Sequence, residues 1–211
     1  MEILWLDSCE STQLELIDKI TKKEVLPPVA LITACQKSGV GSRGNRWIGI
    51  DGNLFLSFAV SKNDLPADLP LHSASIYFSY ILKEILAKKG SKIWLKWPND
   101  FFVGNKKAGG CVTNIVGEVL ICGIGLNIVA APRGYGKLDI VAEPFELGCR
   151  FLEEVEKKIS WKQIFSKYKL EFHLSKSFVF NHEGETKDLK DAELSEDGSV
   201  IINGKRIYSL R

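Results

Sequence analysis

Apolar positions along this chain recur with two periods. Residues 3–6 form a short apolar run that predicts a strand. Thr12-Gln13-Leu14-Glu15 then has the spacing of a capping box, with Leu14, Ile17 and Ile20 on one helical face behind it. The continuous run 29–34 predicts a buried strand, 36–47 a glycine-rich loop, and the alternating stretch 53–60 a second strand. Residues 71–89 predict a helix, with Phe78, Ile81, Leu82, Ile85 and Leu86 on a stripe and Gly90 as its stop.

The middle of the chain reads as strands over 92–97, 100–103, 111–116 and 119–128. Turns at Gly104-Asn105 and Gly117 separate the later ones. Short strands joined by tight turns pair antiparallel. The expected class is therefore α+β, a mixed, largely antiparallel sheet with flanking helices, rather than a doubly wound sheet. After a loop at 130–139, helices are expected over 144–157 and 160–173, the second opened by the Ser160/Gln163 capping box. Asn203-Gly204 between two β-prone runs predicts a hairpin at 199–210. Residues 175–211 are too few to bury a core alone, so this small β appendage should dock on the body.

Composition narrows the function classes. The 211 residues are 45% hydrophobic, enough for a core, and the formal charge of +2 is no footprint of a nucleic-acid binder. No apolar run reaches the length of a membrane span, and the first residues do not have the pattern of a signal peptide. Five cysteines, odd in number and without ligand spacing, argue against disulfides or zinc and for a reducing cytoplasm.

Four segments carry candidate chemistry. Residues 36–47 hold Gly39, Gly41 and Gly44 after a strand, with Arg43 and Arg46 among them. Bare backbone N–H groups and guanidinium forks suit an anion, although glycine spacing alone also fits a flexible surface loop. Lys96-Trp97-Pro98-Asn99-Asp100 is a proline-fixed turn, followed by Lys107-Ala108-Gly109-Gly110, a cation beside bare backbone. Gly123 and Gly125 interrupt an apolar strand, which suits either a bulge or the close approach of a ligand. Ser11-Thr12-Gln13 offers small polar groups to a neutral ligand, with Thr12 as helix cap the plainer reading.

In order and spacing these segments resemble the biotin–protein ligase family across nearly the whole chain. That family has a Ser-Thr-Asn segment, a Gln-x-x-Gly-Arg-Gly-Arg-x-Gly-Arg-x-Trp loop, Lys-Trp-Pro-Asn-Asp, Lys-x-x-Gly and Gly-x-Gly-x-Asn. The resemblance implies a catalytic domain, residues 1–174, with a small SH3-like domain, 175–211. It implies an enzyme that uses ATP and Mg²⁺ to form biotinyl-5'-AMP and passes biotin to a lysine of a biotin carboxyl carrier protein. Ser11, Thr12, Gln13, Gln36, Gly39, Val40, Gly41, Lys107, Gly109, Gly110, Gly123 and Gly125 would line the biotin pocket. Ser42, Arg43, Gly44, Arg46, Trp47, Asn99, Asn127 and Arg211 would serve the nucleotide, Asp100 its metal, and Lys107 the reaction itself. The first motif begins at Ser11, which leaves no room ahead of it for a winged helix. A ligase without specific DNA binding and without a membrane contact is therefore expected, with a homodimer left open.

The chain departs from the family pattern where its loop arginines fall on Val40, Ser42 and Asn45, with Arg43 and Arg46 each one residue beyond a missing arginine. Gln13 replaces an asparagine, and Asn114 stands where many members have glutamate. The rival readings are a lipoate or octanoate ligase or transferase of the same fold, whose Arg-Arg-x-x-Gly-Gly-Gly loop is absent here, and a non-enzymatic biotin-binding regulator.

Overall fold

The computed structural model describes residues 1–42 and 45–209. In chain order its elements are β1 (Glu2–Cys9), α1 (Thr12–Thr21), β2 (Val29–Gln36), β3 (Gly39–Val40), β4 (Arg46–Trp47) and β5 (Leu54–Ser61). Then come α2 (Ala74–Lys88), β6 (Ile93–Lys96), β7 (Asp100–Val103), β8 (Lys106–Val116), β9 (Val119–Leu126), α3 (Pro144–Glu156) and α4 (Trp161–Glu171). The chain closes with β10 (Val179–His182), β11 (Glu185–Asp188), β12 (Glu193–Leu194), β13 (Val200–Ile202) and β14 (Lys205–Ile207).

Seven strands make the central sheet in the order β1-β2-β5-β9-β8-β7-β6. Only β1 and β2 run parallel, because α1 carries the chain back between them; every later pair is antiparallel. The expected α+β class is therefore what folds. Helices cover both faces: α1 packs Leu16 and Ile20 on Val29, Ala59 and Ile121, while α2 and α3 fill the other side. That double cover explains why β5 is buried along nearly all its length instead of alternating. It also explains why α2 is buried almost all round, Lys83 included, where a stripe was expected.

Two local expectations are corrected. The cap of α1 is Ser11, one residue before Thr12, and its hydroxyl accepts from the Leu14 N–H. The face turned to the sheet carries Leu16 and Ile20, which are buried, while Leu14 is 52% exposed. Strand β8 begins at Lys106 rather than at 111, which puts Lys107, Gly109 and Gly110 in a strand. A bulge opposite Phe101/Phe102 skips Ala108 and re-aims Lys107.

The last strands form a two-stranded and a three-stranded sheet. The expected hairpin is there, with Asn203 (φ 50°) and Gly204 (φ 75°) in the left-handed conformation that a two-residue hairpin turn needs. This β unit docks as expected. Trp97, 1% exposed, turns away from the rest of its motif, donates to the Gly198 carbonyl at 2.9 Å and packs on Phe180. Ser73 and Trp161 donate to the carbonyls of Asp197 and Glu196. Among the described residues no helix is long and apolar enough to cross a membrane.

Candidate active site

The segments singled out in the sequence converge on one cleft with about 470 Å³ of open space. The start of α1 supplies Ser11, Thr12 and Gln13, and the end of β2 supplies Gln36. The β3-β4 excursion brings Val40, Gly41, Ser42 and Trp47 over it. The β6–β7 turn, β8 and β9 add Asn99, Asp100, Lys107, Gly110, Gly123 and Gly125. Gly39 and Gly109 stand behind the wall. Arg43, Gly44 and Arg211 lie outside the described residues.

A chain of polar groups crosses the closed end. The Ser57 hydroxyl donates to Thr12 Oγ1 at 2.9 Å, and Thr12 donates from its N–H and hydroxyl to Gln36 Oε1 at 2.8 and 3.2 Å. Freed from capping, Thr12 faces the cleft. Ser57 was missed in the sequence, although a lone hydroxyl inside the apolar run 54–60 was a usable signal. Gln13 Nε2 donates to Asn114 Oδ1 at 3.0 Å, so the two separate departures from the family pattern touch each other. Gln13 Oε1 and Trp47 Nε1 are buried with no protein partner. Such groups are costly to leave unpaired, and a ligand with its own donors and acceptors would satisfy them.

At the open end Lys107 Nζ lies 2.5 Å from Asp100 Oδ1, and Lys96 Nζ lies 3.7 Å from Asp100 Oδ2. Asn99 is fastened to β8 through its amide and carbonyl, both bonded to the Cys111 backbone. Among the described residues no group of three or more His, Cys, Asp or Glu could hold a metal by itself. A lone carboxylate is nevertheless an ordinary donor for Mg²⁺ that arrives with phosphates, since Mg²⁺ keeps most of its waters.

The glycines serve the protein's own packing more than expected. A Cβ at Gly125 would meet Trp47 Cε2 at 2.7 Å, one at Gly109 would meet the Gly125 carbonyl at 2.6 Å, and one at Gly123 would strike the Gln13 amide. Of these four strand glycines Gly110 alone has ordinary room, its nearest neighbour Asp100 Oδ1 at 3.5 Å. Cys111 and Cys122, neighbours with sulfurs 3.2 Å apart, remain thiols, and burial beside Cys111 pushes Cys122 well above the usual thiol range.

A second cleft, open to solvent, adjoins the first across Trp47 and Lys107. Arg46, Ser42 and Asn127 line it, together with Pro132 and Tyr135, which the sequence reading did not single out. Asn127 is 1% exposed and its Nδ2 donates to the Gly136 carbonyl, while Asn53 accepts from the N–H groups of 128 to 130. These two asparagines hold the loop that walls the second cleft.

The comparisons with known proteins bear on the family. The family model described as "Biotin/lipoate A/B protein ligase family" matches residues 5–127. A crystal structure of the biotin acetyl coenzyme A carboxylase synthetase from Helicobacter pylori with bound biotinylated ATP is 40% identical. It covers 98% of this chain and 99% of that one, with a TM-score of 0.93. The bifunctional ligase/repressor BirA of Escherichia coli (strain K12) is 30% identical over 126 residues, which are 56% of this chain and 38% of that protein. The biotin–[acetyl-CoA-carboxylase] ligase of Mycobacterium tuberculosis is 27% identical over 166 residues, 72% of this chain and 62% of that protein. This chain thus spans about two fifths of the first of these curated relatives and under two thirds of the second. With the match running through every motif from Ser11 to Asn127 and a structural relative overlapping almost the whole length, the chain belongs to the biotin/lipoate A/B protein ligase family.

Proposed function

We propose that this chain is a biotin–protein ligase, forming biotinyl-5'-AMP from biotin and ATP and transferring biotin to a lysine of a biotin carboxyl carrier protein. The observation that carries the proposal is the position of Lys107, which lines both clefts at their junction. Biotin occupies the first cleft, its neutral ureido ring against Ser11, Thr12, Gln13 and Gln36. The nucleotide occupies the second, with Ser42, Arg46, Trp47 and the loop held by Asn127. The biotin carboxylate and the α-phosphate then meet at Lys107.

In the first step a carboxylate oxygen bonds to the α-phosphorus as the bond to pyrophosphate breaks. Two unit charges 4 Å apart repel by about 4 kcal/mol at an effective dielectric near 20, and the Lys107 ammonium offsets a term of that size. Mg²⁺, when bound with the nucleotide, neutralises phosphate charge, and Asp100 is the carboxylate in reach to join it. Trp47 and the β3-β4 excursion shield the mixed anhydride from water. The acceptor lysine amine, having lost its proton, attacks the anhydride carbonyl and AMP leaves. Residues 175–211 act as a small domain docked through Trp97, continuous with the body formed by 1–174.

Pyrophosphate release measured with ATP and, in turn, biotin, lipoate and octanoate tests the proposal, followed by transfer to a biotin carrier domain. Biotin alone should support release. Release with lipoate or octanoate instead, or tight biotin binding without any release, would replace it with one of the rival readings.

A further inference from the structure

Lys96 does not line the cleft, yet it is only 7% exposed. It sits directly opposite Asp100 in the β6–β7 register, its ammonium 3.7 Å from Asp100 Oδ2 and 5.8 Å from the centre of the Phe102 ring. Lys107 comes to the same carboxylate from another strand, through the bulge in β8, and takes Oδ1 at 2.5 Å. One carboxylate therefore faces two ammonium groups. Burying a lysine is costly, and an apolar side chain of similar length commonly packs as well or better. For stability alone the second cation is a poor choice.

It has a use if Lys107 must leave Asp100. On the ligase reading, on which this inference rests, Lys107 has to carry the biotin carboxylate and the α-phosphate. Before a metal arrives with the nucleotide, its departure without a second cation would strand a carboxylate that is only 18% exposed, and Asp100 would hold Lys107 back. We infer that Lys96 is a positioning residue that acts through Asp100: it is the standing counter-ion that keeps the carboxylate compensated while Lys107 swings to substrate. Its place in β6, paired across the strands with Asp100, keeps it there when Lys107 moves. The trio also carries a net positive charge whichever anion Lys107 holds, which favours entry of an anionic substrate.

The test uses the full chain with Lys96→Met, Lys96→Arg, Asp100→Asn and the Lys96→Met/Asp100→Asn double variant. Melting temperature, biotin binding by calorimetry without ATP, and biotin-dependent pyrophosphate release are read for each. Lys96→Met should lower kcat/KM by roughly 10- to 100-fold, the size of a lost contact to a charged group, and weaken biotin binding in the same direction. Lys96→Arg should recover to within about threefold, since it restores the charge. In the Asp100→Asn background the Lys96 substitution should cost less than about threefold, because no carboxylate is left to hold Lys107; such coupling is what a double-mutant cycle isolates. A Lys96→Met protein that melts as wild type and reacts at the wild-type rate overturns the inference. So does a loss that persists undiminished in the Asp100→Asn background, or one that Lys96→Arg fails to recover. Should Lys96→Met not fold, Lys96→Gln takes its place in the same comparison. A wild-type protein that releases no pyrophosphate with biotin would instead remove the ligase reading itself.

Discussion

Gly125→Ala puts the closeness of Trp47 to the sheet to a direct test. Gly125 lies in β9 between Gly110 and Phe55, and its φ is one that alanine adopts freely. A Cβ there would stand 2.7 Å from Trp47 Cε2 and 3.0 Å from Cζ2 and Nε1. Ordinary contact begins near 3.4 Å, so the indole must retreat by about 0.7 Å. It cannot simply follow its backbone, because Trp47 is paired with Gly39. Overpacking of this kind costs about 1–3 kcal/mol, and alanine's strand preference over glycine returns part of it. The melting temperature should therefore fall only modestly. Activity should suffer more, since Trp47 separates the two clefts and a displacement approaching 1 Å in a reacting site can cost on the order of 100-fold. Gly110→Ala is the counterpart. Its Cβ meets nothing closer than 3.5 Å, so the fold should be untouched, and any loss of biotin affinity would report a ligand that approaches this backbone. Thermal melting and pyrophosphate release on both variants decide the matter. Wild-type release by Gly125→Ala, or equal destabilisation by Gly110→Ala, would refute the packing argument.

Lys107→Ala should lower adenylate formation about 1,000-fold, the equivalent of about 4 kcal/mol, while the melting temperature barely moves because the partly exposed pair with Asp100 contributes little to stability. Near wild-type pyrophosphate release would remove Lys107 from the mechanism. Trp97→Phe leaves the Gly198 carbonyl without its donor and should cost about 1–3 kcal/mol in denaturant unfolding, with adenylation changed far less than by Lys107→Ala. The reverse pattern would mean that Trp97 serves the cleft rather than the docking of the β unit. Acid should weaken the β unit at a neighbouring residue, Asp197, whose carboxylate accepts from Ser199 and Arg206 and faces His72 of the body. Burial pushes the Asp197 carboxyl up, but hydrogen bonds from Ser199 and the charges of Arg206 and His72 outweigh it and hold it below the usual carboxylate range. A depressed folded-state pKa gives stability that is complete above the unfolded value, about 3.9, and is lost as pH falls through the folded one. The melting-temperature gap between wild type and Asp197→Asn should therefore narrow progressively as the pH falls below the unfolded value; a constant gap would exclude the linkage.

Much of the site was legible because its chemistry is local. Lys96 to Asp100, Lys107 to Gly110 and Gly123 to Asn127 each carry their residue types in a fixed short spacing, and the structure brings all three segments to neighbouring strands around the two clefts. What could not be read was the direction of each side chain within them. Trp97 stands in the same short motif as Asn99 and Asp100 but is turned into the C-terminal β unit, where its partners Phe180 and the Gly198 carbonyl lie some 80 to 100 residues away. Thr12 looked like a helix cap. A helix start can shift by one residue at little energetic cost, and here Ser11 takes the cap while Gln36 and Ser57 claim Thr12.

The sequence by itself determined the helices, the strands of the main sheet apart from the start of β8, the antiparallel class, the hairpin at Asn203-Gly204 and the order of the motifs. These depend on periodicity, capping and turn residues, which act over a few positions. Only the tertiary structure decided which polar groups meet. It paired Gln13 with Asn114 across 101 positions, set Ser57 beneath Thr12, packed Trp47 on Gly125, and placed Lys96 and Lys107 on the two oxygens of Asp100. The physical reason is sheet register. A strand fixes which residues share a face, but the partner strand fixes what they face, and a single bulge at Ala108 is enough to re-aim Lys107.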